Sequence, residues 1–335
     1  MHLLTLVSML ALQAAASPVR QPADIRSRLD AYETRTQQTN RPDPAALAEI
    51  GRLVIEQSRR SPKFQVWTEA CASTVVAESH DCASRLRAIL NRSTEPIERR
   101  AEAAAALIAR GDTEAGAALH SALKTARTAT LAPLAPIVAL LPAADAVPLL
   151  TRLTASPSTA EQSVGCRYLG GFDTAEVRAA VTKVVDTNPP GTEPWLVCMI
   201  ARARLRDVDA RTVAGYGHTL QGEGLLYAAG VMLEVGDQES AEQILTDLTH
   251  RGSTGSRLAA ATQLIGHKNE VAIPIIEAAL RDPDRDIRAQ AVAAERKLKR
   301  PPSVLVRGML ADGFEIVRIR AAEIALEWEH RELFR

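Results

Sequence analysis

The sequence predicts an all-α fold, a right-handed solenoid built from stacked helical hairpins. Three observations carry this prediction. The chain is 46% apolar but only 3% aromatic, and 58 of its 335 residues are Ala. A core of that kind is made of small aliphatic side chains, and Ala has the best helix propensity of any residue. Small residues also recur at a spacing near 31, at Ala103, Leu134 or Ala135, Cys166, Cys198, Ala229, Ala260, Ala291 and Ala321. Finally, turn formers punctuate the joins: Gly111-Asp112, Asn188-Pro189-Pro190-Gly191, Gly236-Asp237, Asp282-Pro283 and Pro301-Pro302. A two-helix unit cannot bury its apolar face alone, so such units stack into a one-dimensional array.

The array does not start at the first residue. Leu3–Leu12 is an apolar run, followed by Ala14 and Ala16 in the small-x-small pattern of signal cleavage. The run is too short to cross a bilayer, which takes about 20 residues. Residues 1–16 are therefore expected to be a cleaved secretory signal. Residues 17–44 form an N-terminal segment in which Pro18, Pro22, Pro42 and Pro44 bracket one polar helix, about Ala23–Thr36. Short of apolar residues, this helix is expected to be a cap or an arm.

The hairpin array is expected over residues 45–335. First helices carry an Arg-x-x-Ala signature: Arg100–Ala103, Arg257–Ala260, Arg288–Ala291 and Arg318–Ala321. Second helices are expected near Asp145–Leu153, Thr174–Val185, Glu239–Leu248, Val271–Leu280 and Ser303–Leu310. In the clearest repeat, Ile287, Ala291, Ala294 and Leu298 fall on one helical stripe. Asp286 is placed to cap that helix. Arg288 is placed to reach an acidic turn, either its own (Asp282-Pro283-Asp284) or the next (Asp312-Gly313). Gly222-x-Gly224 lacks a phosphate-binding continuation and reads as a turn. Trp328 and Phe334 are expected to pack as a terminal cap.

This pattern, aliphatic helix then Asp-Pro-Asp-x-x-aliphatic-Arg-x-x-Ala, resembles the HEAT-repeat family, including the short HEAT-like units of phycobilisome lyases. The resemblance is clearest over Val271–Leu326. It weakens between about 130 and 235, where Ser163 and Trp195 stand in place of Arg. Gly111–Ala126 and Gly236–Thr249 also look like tetratricopeptide helices. A period near 31 rather than 34 favours the HEAT reading.

Lys+Arg and Asp+Glu are both 40, so the formal charge is zero. That disfavours a nucleic-acid binder, which usually carries a basic excess. The HEAT-like deoxyhypusine hydroxylase family holds iron with paired His-Glu motifs. No such pair occurs here, since Glu329-His330 is single and reversed. Gly-x-Ser-x-Gly and phosphate loops are absent, and neither a catalytic residue nor a cofactor is expected. The four cysteines, Cys71, Cys82, Cys166 and Cys198, permit two bridges in an oxidising compartment. Cys166 and Cys198 occupy equivalent places in adjacent repeats, so a bridge requires both to enter one seam. A Cys71–Cys82 bridge requires the helix holding Cys71 to end early, before a turn at Glu78–Asp81.

Family resemblance implies a concave surface lined by second helices. Trp195–Ile200 is apolar all round, and the last repeats offer Gln290, Lys297, Arg320, Glu323 and Glu327. An apolar centre with mixed charge suits a protein or peptide partner. The expected function is a non-enzymatic interaction scaffold in the periplasm or outside the cell, with no membrane span after signal removal. The alternative is a HEAT-like enzyme of the lyase type, or a structural module of an envelope complex.

Overall fold

Helices α1 (Ile25–Thr39), α2 (Pro44–Arg59) and α3 (Phe64–Ala72) open a chain whose every regular element is helical among the described residues. They are followed by α4 (His80–Asn91), α5 (Ile97–Ala109), α6 (Thr113–Leu123), α7 (Thr128–Val138), α8 (Ala143–Thr154) and α9 (Thr159–Leu169). Next come α10 (Ala175–Thr187), α11 (Glu193–Arg204), α12 (Gly222–Val235), α13 (Gln238–His250) and α14 (Thr254–Leu264). The chain ends with α15 (Asn269–Ala279), α16 (Arg285–Lys297), α17 (Val304–Gly308) and α18 (Glu315–Leu333). This computed structural model describes residues 25–333 apart from 40, 62, 74–79, 210–211, 214–215 and 217–221. The expected signal and Phe334 lie outside the described residues. Among the described residues, no helix is long and apolar enough to cross a membrane.

Local chemistry sets the helix ends. Side chains of Asp43, Asp112, Ser158, Thr174, Ser253, Asp284 and Ser303 accept hydrogen bonds from first-turn backbone N–H groups. The cap of α16 is thus Asp284, whose carboxylate takes the Asp286 N–H at 2.8 Å, and not Asp286 as the sequence suggested. The helix starts two residues earlier, at Arg285, with Asp286 inside its first turn, where an acidic side chain favours the helix dipole. Gly222 is likewise not part of a free turn: it opens α12 at φ 53°, with Gly224 inside the helix. The polar helix α1 is no loose arm either. Its Ile25, Leu29 and Tyr32 are buried, at i, i+4 and i+7.

The recurring Arg has a defined task. Arg100 Nε donates to Leu90 O and Arg257 Nε to Thr249 O, both at 2.8 Å. Arg288 donates to Asp282 O at 2.7 Å and Arg318 to Asp312 O at 2.7 Å. Each ties a first helix to a carbonyl at the end of the helix before it or in the turn that follows. Arg288 also forks onto Asp312 of the next turn, at 2.8 and 3.0 Å. In the degenerate centre Gln162 takes over, donating to Ser156 O at 2.8 Å.

Helices α3, α5, α7, α9, α11, α12, α14, α16 and α18 form one layer, each packed on the next. Helices α4, α6, α8, α10, α13, α15 and α17 form a second, more sparsely packed layer outside it. The tighter layer is therefore the concave one. All the period-31 positions, Ala103, Ala135, Cys166, Cys198, Ala229, Ala260, Ala291 and Ala321, are fully buried on it. Small side chains there let the helices approach closely. A Cβ at Gly165 would come within 2.8 Å of Thr154 Cγ2 and 2.9 Å of Thr154 N. Gly165→Ala should therefore destabilise the chain by about 1–3 kcal/mol, although Ala is the better helix former. Urea unfolding checks this, and a stabilised variant would contradict the packing.

The ends of the array meet. Helix α18 packs on α2 and α3, and α1 reaches the 3-10 turn at Met309–Ala311. Arg320 on α18 forks onto Glu69 on α3 with Nε at 2.9 Å and a terminal nitrogen at 2.8 Å. Arg307 pairs with Glu33, and Lys63 lies 3.7 Å from Asp286. The stacked array expected from the period therefore closes into a ring. The last helix finds its partner in the first hairpin, and Trp328 is half-buried near that junction.

Candidate functional site

Where the ring closes, α3, α5, α16 and α18 enclose a cavity of about 510 Å³. Its walls follow helical spacing. Helix α18 supplies Arg320, Glu323, Ile324 and Glu327; α16 supplies Ala293 and Arg296; α3 and its end supply Glu69, Ala72 and Ser73. Ala109 comes from α5. The i, i+3, i+4, i+7 set on α18 is one face of one helix.

Two ion pairs brace the walls. Arg320 is held by Glu69 and also donates to Ala289 O at 3.1 Å. Arg296 forks onto Glu327, with Nε at 2.8 Å from one oxygen. Between these pairs sits Glu323, only 3% exposed. Its Oε2 is 3.7 Å from Arg296, and its Oε1 has no hydrogen-bond partner. Burial pushes its carboxyl up from 4.5 to about 7, with Glu69 and Glu327 adding to the rise and Arg296 and Arg320 opposing it. Ser73 Oγ, buried in the same wall, has no protein partner. Buried polar atoms are rarely left unpaired, and here two of them border one cavity. Three carboxylates face two guanidiniums, so the ionised site carries a net charge of one negative unit.

The sequence-derived candidates divide. Arg320, Glu323 and Glu327 come together in this cavity. Gln290 stands exposed on α16. Lys297, next to Arg296, lines a separate cavity of about 620 Å³ with Arg167, Tyr168 and Tyr227. Trp195 is not on an open groove: it is 8% exposed, edge-on to Tyr216 at 4.9 Å. Its apolar neighbours Leu196–Ile200 are also buried, because α11 is enclosed by α9, α10 and α12. Glu69 was missed, since it meets Arg320 across 251 residues and no period links the two. The concave layer is also formed by the Arg-x-x-Ala helices rather than by the second helices.

Both cysteine pairs are within bonding distance. Cys71 and Cys82 have Cα atoms 5.8 Å apart, across the early end of α3 at Ala72. Cys166 and Cys198 share the α9–α11 seam at 5.1 Å. A Cβ at Gly170 would lie 3.1 Å from Ala201 Cβ, so the small residues beside this bridge set the close approach of the two helices. Of the described histidines, His120 Nδ1 lies 3.1 Å from Asp145 O and His267 lies 3.9 Å from Glu242, far apart in the array. Among the described residues no group of His, Cys, Asp and Glu is arranged to hold a metal ion.

No family model and no curated protein matches the sequence. Solved structures do. Human deoxyhypusine hydroxylase in complex with glycerol is 19% identical with a TM-score of 0.38, over 75% of this chain and 98% of that one. The complex of CpcE and CpcF of phycocyanin lyase from Nostoc is 14% identical with a TM-score of 0.35, over 84% of this chain and 94% of that one. The expectation of a non-enzymatic protein is corrected at this point: the two solved structures that match are a hydroxylase and a lyase complex. At this identity the likeness bears on the fold alone.

Proposed function

We propose that the chain is a HEAT-like enzyme of the lyase type, with Glu323 as its proton-transfer group. The observation that supports this is the unpartnered Oε1 of an almost fully buried carboxyl at the wall of the seam cavity. A group that titrates near 7 is matched to acid–base work at neutral pH. Ionised, Glu323 takes a proton from a substrate carbon: a C–H bond breaks, an O–H bond forms, and the electron pair expels a leaving group from the adjacent carbon. Arg296, 41% exposed at its side chain, is the cation able to turn toward charge developing on the leaving group. The net negative site selects an uncharged polar or a cationic substrate over an anion.

The reading includes export. Two cysteine pairs at bonding distance suit an oxidising compartment, in keeping with a periplasmic or secreted protein. A protein or peptide substrate or partner at the seam belongs to the same reading.

The test is untargeted mass spectrometry of an envelope extract incubated with the purified chain or with Glu323→Gln. The wild type should deplete a compound and yield two fragments whose masses sum to it, with no co-substrate. The rate should rise with pH about an apparent pKa near 7. Equal turnover by the variant, with its helical spectrum intact, would remove Glu323 from the chemistry.

A further inference from the structure

A second cavity, independent of the seam, is lined by Phe64 and Trp67 of α3, whereas Glu69 of the same helix lines the seam cavity. It holds about 360 Å³ and is lined by Arg59, Ser61, Phe64, Trp67, Arg85, Ala88, Ile89, Arg92 and Arg99. Four of these residues are arginines and none is acidic. Phe64 and Trp67 are tilted at 52° with centroids 5.5 Å apart, and the Arg99 guanidinium stacks on Phe64 at 4.7 Å. Glu95 lies 3.3 Å from Arg92 and 3.5 Å from Arg99, and Glu102 is also within electrostatic reach of Arg99. The lining itself presents four guanidiniums and no carboxylate. Trp67 is 7% exposed, and its Nε1–H meets no protein acceptor.

The pocket is built rather than incidental. Arg85, Ala88, Ile89 and Arg92 fall at i, i+3, i+4 and i+7 along α4 and its end, so one face of one helix presents two guanidiniums around an apolar strip. The Cys71–Cys82 pair joins α3, with its two rings, to α4, with its arginines. Like charges would separate if nothing held them, and this link together with the ring stacking keeps them together.

We propose that this pocket binds a small organic phosphate, a phosphate monoester carried on a flat or apolar body. Planar guanidiniums recognise phosphate oxygens through paired N–H donors. A phosphate monoester carries about two negative charges at neutral pH, the sign that a lining of four guanidiniums takes. Phe64, Trp67 and Ile89 cover the attached body, and the Trp67 Nε1–H is a further donor. The cavity volume falls within the range of small-molecule sites, about 300–1,000 Å³.

Isothermal titration of the full chain with phenyl phosphate, inorganic phosphate and benzyl alcohol tests this. Phenyl phosphate should bind about tenfold or more tightly than inorganic phosphate, because the rings add apolar contact. Benzyl alcohol should not bind detectably. The double variant Arg59→Ala/Arg99→Ala should weaken phenyl phosphate by about tenfold or more. Both sites are exposed on helices, so the fold should persist, as circular dichroism would show. Trp67→Phe, which keeps a ring but removes the donor, should weaken binding without removing it. Phenyl phosphate binding unchanged in the double variant would overturn the proposal. So would binding of heparin alone with no affinity for phenyl phosphate, the result expected of a diffuse basic surface. Activity at the seam plays no part in these readouts.

Discussion

Glu323→Gln should make the protein more stable at neutral and alkaline pH, and should flatten its stability profile. The folded chain holds the Glu323 proton up to about pH 7, against 4.5 for an ordinary glutamic acid. Between those values the folded state binds more protons than the unfolded state, so stability falls as pH rises. The loss begins above the unfolded value and is complete once pH has passed the folded one. A shift of that size corresponds to about 3 kcal/mol, since one pKa unit is worth about 1.4 kcal/mol. Gln keeps the shape without ever ionising. Glu102, raised by burial, has the same sign and remains in the variant, so a shallow slope should persist. Urea midpoints at pH 5 and pH 8 check this. If the wild type and the variant lose stability in parallel, Glu323 is not the titrating group.

Removing the Cys166–Cys198 link should cost the most of any single change to the scaffold. The two residues are 32 apart, and a loop of that length is worth about 4 kcal/mol of unfolded-chain entropy. The Cys71–Cys82 link closes a separation of 11 and is worth about 3 kcal/mol on the same basis. The suitable variant is Cys166→Ala/Cys198→Ala. Ala occupies the equivalent buried place in α12, α14 and α16, at Ala229, Ala260 and Ala291, so the seam accommodates it. Little packing is lost, and the measured change reports the link itself. Denaturant unfolding with the other pair intact gives the value. A change below about 1 kcal/mol would mean that the helix packing alone defines this seam.

The sequence carried the repeat because the physical cause of the repeat is local. A small residue is required wherever two concave helices touch, and an Arg is required wherever the carbonyls ending the previous helix need a donor. Both demands return with every hairpin, so Arg100, Arg257, Arg288 and Arg318 show a period. Where the donor changed to Gln162, the signature faded although the contact did not. The buried stripe of α1 was legible at Ile25, Leu29 and Tyr32, but its polar average concealed it.

The site was half legible for the opposite reason. Arg320, Glu323 and Glu327 share a helix face, which spacing reveals. Glu69, Ser73 and the cavity between the helices exist only because the ends of the array meet. Closure is a property of accumulated curvature, and no residue spacing encodes it. The same holds for Glu33, which meets Arg307 across 274 residues. Trp195 misled because a helix apolar on every side looks the same whether it lines a groove or lies enclosed by neighbours.

Ring closure is the central claim, since the seam cavity depends on it, and small-angle X-ray scattering of the purified chain tests it most directly. The nine inner-layer helices among the described residues, spaced by about 9–10 Å, form a ring about 60 Å across when the ends join, and an arc about 85–90 Å long when they do not. The closed ring predicts a maximum dimension near the smaller value and a radius of gyration close to the compact value of about 20 Å. It also predicts that Arg320→Glu, which sets a carboxylate against Glu69, shifts the scattering toward the longer particle. A wild-type particle already as long as the open arc would contradict closure, and with it the site at the seam.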